Sequence, residues 1–77
     1  MNEKMKVSDN QKIYRGCVIG MAEILIDGLY SLKYDLESCP GIATIEEMEE
    51  IDGICNLLRK ISNRCLDELK PYGLYIN

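Results

Sequence analysis

The side chains of this 77-residue chain that could carry chemistry are its cysteines, carboxylates and tyrosines. The sequence contains no histidine. Without histidine the chain lacks the commonest general base, the usual activator of a serine or cysteine nucleophile, and a frequent zinc ligand. None of its four cysteines forms a Cys-x-x-Cys pair, which is typical of zinc knuckles and redox motifs. We therefore expect a protein that is not an enzyme and that uses no metal and no cofactor.

Two groups of side chains are candidates for binding a partner protein. The first is a cluster of carboxylates, which favours docking on a basic surface but also suits the first turns of a helix, where the helix dipole stabilises negative charge. The second is a pair of tyrosines four residues apart, a residue type that is enriched at protein interfaces. The predicted partner-binding residues are Glu46, Glu47, Glu49, Glu50, Tyr30 and Tyr34.

The spacing of the apolar residues predicts a first long helix over residues 8–38. Ser8 and Gln11 have the spacing of a capping box at its start. Pro40 disfavours helix at the residue before it, so we expect a turn over 39–43. Residues 1–7 are polar and unpatterned, and we expect them to form a flexible tail.

A second helix is predicted over residues 44–70. Thr44 and Glu47 form another capping box at its start, and Pro71 ends it. Residues 71–77 would form an apolar tail. Two helices joined by a short turn predict a single all-α domain, an antiparallel two-helix hairpin.

Each helix carries an apolar stripe that we expect to form the seam of the hairpin or of a dimer. If the turn is centred beside Gly41, Gly28 lies opposite Cys55 and Leu25 opposite Leu58. Small residues such as Gly28 would then let the two backbones approach closely. The predicted seam consists of Val18, Met21, Leu25, Gly28 and Leu32 on the first helix, and of Met48, Ile51, Cys55, Leu58 and Cys65 on the second.

The hairpin is predicted to dimerise into a four-helix bundle. Both helices have more apolar surface than one neighbour can cover, and a core below roughly 70–80 residues rarely supplies more than about 3–5 kcal/mol. A two-fold pair of hairpins would complete it. Residues 23–58, the half nearest the turn, hold nine acidic residues and only Lys33 as a base, whereas the rest of the chain holds eight basic and four acidic residues. This charge separation favours a homodimer in which each acidic turn lies against the basic end of the partner.

These features predict a cytoplasmic regulator or inhibitor, of the kind that phages and mobile elements encode, which docks on a larger protein with a basic surface. The net charge of -4 and the sequence pI near 4.7 disfavour nucleic acid as a partner. A membrane span is not predicted, because the longest apolar run is interrupted by Glu23 and Asp27.

Two other functions are left open. The first is a nucleic-acid-associated regulator that uses the basic end of the hairpin, where Arg59, Lys60 and Arg64 lie. The second is a thiol-based or metal sensor that uses the cysteines, including a disulfide between Cys17 and Cys65, which the hairpin would bring to the same level.

Overall fold

The computed structural model describes residues 8–73, and this part of the chain is helical, without a strand. Helix α1 spans Asp9–Ser38 and helix α2 spans Ile45–Leu69. A short 3-10 turn, Lys70–Tyr72, follows α2. The two long helices pack against each other, so the predicted all-α helical hairpin is confirmed. The predicted tail over residues 1–7 and the last four residues of the chain lie outside the described residues.

Side-chain caps begin both helices. At α1, the Ser8 hydroxyl accepts a hydrogen bond from the Gln11 N–H at 3.2 Å. At α2 the capping box is reciprocal, because Thr44 Oγ1 accepts from the Glu47 N–H at 3.0 Å and Glu47 Oε1 accepts from the Thr44 N–H at 2.9 Å. These bonds satisfy donors that the helix itself leaves unpaired. In the turn between the helices, Gly41 has a φ of 99°, which a residue without a Cβ adopts at little cost.

The best buried part of the core lies at the end of the hairpin away from the turn. Leu69 is fully buried there, together with Cys65 and Ile19. Half-buried Ile61 and Leu66 pack around this cluster. Because these residues come from both helices, their burial fixes the last turns of α2 against the first half of α1.

The stripe of α1 that packs against α2 is not the one predicted from the sequence. Val18 is 38%, Met21 54%, Leu25 47% and Leu32 46% exposed, so these residues do not form the hairpin seam. Their role in a dimer stays a prediction. The packed stripe is instead buried Ile19 and Ala22, with half-buried Ile26 and Leu29. Helical periodicity alone does not choose between two apolar stripes on one helix, whereas their packing does.

The expected close approach of the backbones at Gly28 is also wrong within the chain. A Cβ added at Gly28, or at Gly20, would meet no heavy atom within 4 Å. Both glycines lie on the exposed surface of α1. The small residue that does lie in the contact is Ala22, which is 3% exposed.

Ion pairs join the two helices near both ends of the hairpin. Arg15 Nε lies 2.7 Å from Glu68 Oε1, at the end away from the turn. Lys33 Nζ lies 2.8 Å from Asp52 Oδ2, on the side of the turn. The predicted register sets Leu25 opposite Leu58. Ten residues further from the turn on each antiparallel helix, this register sets Arg15 opposite Glu68, which is the pair that the structure shows.

Candidate interaction surfaces

One side of the hairpin combines carboxylates, tyrosines and polar groups, and we call it the polar face. On α1 its residues follow spacings of four, three and four, which place them on one side of a helix. Two of them, Glu23 and Asp27, line a groove together with residues of α2. The polar face consists of Glu23, Asp27, Tyr30 and Tyr34 on α1, and of Arg59, Ser62 and Asn63 on α2.

A groove of about 380 Å³ lies between the helices on the polar face. The side chains of Glu23 and Asp27 border it on α1, and those of Ser62 and Asn63 border it on α2. Neither carboxylate forms an ion pair within residues 8–73. Ile26 and Arg59 also line the groove, which therefore offers two carboxylates without an ion pair, one guanidinium and two hydrogen-bonding groups to a ligand. Sequence reasoning did not connect these four residues, because a register in which facing residue numbers sum to about 83 sets Glu23 opposite Lys60 and Asp27 opposite Asn56.

Tyr30 and Arg59 form a pair across the helices beside this groove. Arg59 Nη2 donates a hydrogen bond to Tyr30 Oη, and the guanidinium lies 5.2 Å from the centroid of the tyrosine ring. Arg59 Nη1 also donates to Asn56 Oδ1 at 3.3 Å. The bond to Tyr30 raises the pKa of Arg59 above its usual range. Arg59 is thus engaged within the hairpin although it is exposed, and Lys60 and Arg64 are the bases of the predicted basic patch that form no hydrogen bond or ion pair within residues 8–73.

The four glutamates predicted to bind a partner spread over an arc of about 160° around α2, since successive residues of a helix point about 100° apart. All four are exposed at the start of α2. The carboxylate of Glu47 is engaged in the capping box, so part of its role is structural. Glu46 and Glu49, three residues apart, are neighbours on the helix surface. Tyr34, 70% exposed near the C-terminal end of α1, lies at the same end of the hairpin.

Lys33 neutralises Asp52 at the acidic end of the hairpin, by which we mean the end that contains the turn and the exposed carboxylates Glu46 and Glu49. Its ammonium contacts both carboxylate oxygens of Asp52, at 2.9 and 2.8 Å, and lies 3.9 Å from Glu37. The hydrogen bond to Asp52 raises the pKa of Lys33 above its ordinary value of 10.5, and burial opposes this effect in part. Among residues 8–73, Glu46 and Glu49 have no such cation, so their negative charge is directed to the solvent.

The opposite side of the hairpin is apolar. Around α1 from buried Ala22, Tyr30 lies about 80° to one side and Leu25 about 60° to the other. Around α2 from buried Cys55, Arg59 lies about 40° to one side and Ile54 about 100° to the other. Because Tyr30 contacts Arg59, Leu25 and Ile54 share the other side. We call this side the apolar face, and its exposed residues are Val18, Met21, Leu25 and Leu32 on α1, and Ile54 and Leu57 on α2.

The predicted seam on α2 lies between the helices rather than on either face. Cys55 and Cys65 are buried, and Met48, Ile51 and Leu58 are half-buried.

The cysteines are free thiols. Cys17 and Cys39 are exposed, while Cys55 and Cys65 are buried, so the structure contains no disulfide between Cys17 and Cys65. Within residues 8–73, no three Cys, Asp or Glu side chains are grouped closely enough to hold a metal ion.

Neither helix of the described chain combines the length and the apolar character needed to cross a membrane.

No protein-family model, curated protein sequence or solved structure gives a significant match to this chain. The polar face, the apolar face and the acidic end are therefore interpreted from their own chemistry.

Proposed function

We propose that the protein is a small, non-enzymatic interaction module in which two hairpins pair into a four-helix bundle that docks on a larger protein and regulates or inhibits it. The observation that carries this proposal is the apolar face, where large side chains on both helices remain about half exposed. A hairpin that worked alone would leave this apolar surface in water, at a cost of roughly 25 cal/mol per Å². Pairing of two apolar faces removes it from water.

Docking on the larger protein is assigned to the acidic end of the hairpin and the adjoining polar face. Glu46, Glu49 and Tyr34 are exposed there. Glu49 and Tyr34 point away from the apolar face, so bundle formation leaves them accessible, whereas Glu46 lies in line with Leu57, one turn before Glu50. The unneutralised carboxylates favour a partner with a basic surface and speed its encounter with the module. Tyr34 supplies an amphipathic ring, which is the kind of group that contributes most binding energy at interfaces.

The docking proposal is tested by comparing variants in an affinity capture from a lysate of the organism that encodes the chain. The variant E46Q/E49Q removes charge without changing shape, and it leaves the capping carboxylate of Glu47 in place. Lys60→Gln is the matched control, because it removes one exposed charge of the opposite sign from the same helix. We expect one protein to be retained by the wild type and by K60Q, and to be lost with E46Q/E49Q at physiological salt.

The captured protein is then purified, and its affinity for each variant is measured by calorimetry. We expect the E46Q/E49Q variant to bind at least about tenfold more weakly, which corresponds to 1.4 kcal/mol. Equal affinities for the wild type and E46Q/E49Q would contradict the docking proposal. Capture that depends on Lys60 and disappears after nuclease treatment would instead favour the nucleic-acid-associated regulator.

A further inference from the structure

The apolar face has a symmetric pattern along α2. Glu50, Ile54, Leu57, Ile61 and Arg64 follow one another at spacings of four, three, four and three, so they lie on one stripe of the helix. Ile54 and Leu57 are 46% and 56% exposed, Ile61 is half-buried, and the two charged residues are exposed. The stripe thus has a carboxylate at one end, a guanidinium at the other and Leu57 at its centre. If a second copy of this stripe runs antiparallel about Leu57, Glu50 of each copy lies opposite Arg64 of the other.

A matching pattern on α1 is centred on Leu25. Val18 and Leu32 lie seven residues to either side of it, and Met21 and Gly28 lie four and three residues away. If two copies of this stripe run antiparallel about Leu25, Val18 meets the partner's Leu32, and Met21 lies over the partner's Gly28. The space above Gly28 is open, since an added Cβ would meet nothing within 4 Å in the chain itself. A long flexible side chain can occupy that space.

The centres of the two stripes lie at the same level of the hairpin. Arg15 contacts Glu68, so Leu25 on α1 lies level with Leu58 on α2, one residue from Leu57. One two-fold axis that runs from α1 to α2 therefore passes through both centres. A rotation about this axis stacks α1 on the partner's α1 and α2 on the partner's α2, each pair antiparallel.

We infer that the apolar face is occupied by a second copy of this chain with its turn at the opposite end, so that Glu50 of each copy pairs with the partner's Arg64. This inference specifies the orientation of the four-helix bundle and rests on the proposed function. Charge favours it, because neither Glu50 nor Arg64 has an ion-pair partner among residues 8–73. The same orientation brings each acidic turn towards the basic end of the other copy. The alternative orientation would bring the two acidic turns together and would be opposed by their repulsion.

Mutual charge reversal tests the orientation. We expect the wild type to have the mass of two chains of 8.8 kDa by light scattering at micromolar concentrations. Glu50→Arg and Arg64→Glu should each raise the dimer Kd about tenfold or more, because two symmetry-related attractions become repulsions. The double variant E50R/R64E should restore the wild-type Kd. Glu49→Arg is the matched control, since it makes the same charge change on a side of α2 that points away from the apolar face.

A second pair of variants tests the face itself. Leu25→Asp places a charge at the centre of the apolar face and should abolish the dimer. Tyr34→Asp introduces the same charge at a residue that is 70% exposed and lies about 180° around α1 from Leu25, and it should leave the dimer intact. Circular dichroism of every variant records whether the helices remain. The double variant E50R/R64E again pairs a base with a carboxylate. Recovery of the wild-type Kd therefore tests the pairing whether or not a single variant loses stability.

The outcomes separate the orientation from the bundle. A wild type that remains a single chain up to about 100 μM, a concentration that corresponds to a very weak complex, would overturn both. A dimer that is strengthened by E50R, or not restored by E50R/R64E, would overturn the orientation and leave the bundle standing. A dimer that survives L25D would show that another surface pairs. Docking through Glu46 and Glu49 is measured separately, by capture and calorimetry on a variant whose mass in solution is first shown to equal that of the wild type.

Discussion

Truncation of Leu69 tests whether the base of the hairpin closes as the structure shows. Leu69, the last residue of α2, is 0% exposed and packs with Ile19 and Cys65. Leu69→Ala removes three buried carbons and leaves a cavity. Buried Leu→Ala changes cost about 2–5 kcal/mol, and a site near the end of a small hairpin can relax in part, so we expect about 2–3 kcal/mol.

Leu57→Ala is the matched control for this change. The residue type and the helix are the same, but Leu57 is 56% exposed, so less than half of its apolar surface is lost from contact. We expect a cost of at most about 1 kcal/mol from the hairpin itself. Any larger cost that arises from pairing would depend on protein concentration, whereas the cost of Leu69→Ala would not.

The assay is urea unfolding followed by circular dichroism at two protein concentrations about tenfold apart. With an m value of about 1 kcal/mol/M for a chain of this size, Leu69→Ala should lower the midpoint by roughly 2–3 M. Such a loss removes most of the stability of a core that supplies only about 3–5 kcal/mol. Equal midpoints for the two variants, at both concentrations, would show that Leu69 is not buried in solution and would refute the packing of the base described above.

Further measurements test other parts of the hairpin. Thr44→Ala removes the hydroxyl of the capping box and should cost about 1 kcal/mol in urea unfolding, whereas Thr44→Ser keeps the hydroxyl and should cost much less. The raised pKa of Lys33 means that its ion pair with Asp52 stabilises the fold fully below pH 10.5 and is lost as the pH rises through the folded-state value. The destabilisation caused by Asp52→Asn should therefore be present at neutral pH and shrink in strong alkali, and a destabilisation independent of pH would contradict this. A thiol reagent should modify two cysteines quickly in the folded protein and two only on unfolding, the fast pair being Cys17 and Cys39 and the slow pair Cys55 and Cys65; four equal rates would contradict their burial.

Local sequence signals were sufficient for the elements of this fold. The cap at Ser8, where only the hydroxyl half of the predicted box forms, the capping box at Thr44 and the prolines at positions 40 and 71 act within a few residues, so their effects can be inferred without the rest of the chain. The short turn then forces the helices to run antiparallel and approximately sets their register. That register places Arg15 next to Glu68. The acidic end is likewise a property of the sequence, since carboxylates concentrate on both sides of the turn.

The side of α1 that faces α2 was decided only by the tertiary structure. Two apolar stripes run along α1, one through Ala22 and one through Leu25, and both satisfy helical periodicity. The stripe that packs is the one whose side chains fit against α2 while Arg15 reaches Glu68 and Lys33 reaches Asp52. This fit depends on many contacts at once, so the spacing of apolar residues along α1 does not reveal it. The same choice created the groove beside Tyr30 and left the Leu25 stripe in water. The sequence by itself therefore determined the helices, their register and their charge, whereas the packing of α1 on α2 decided which residues remain free to bind.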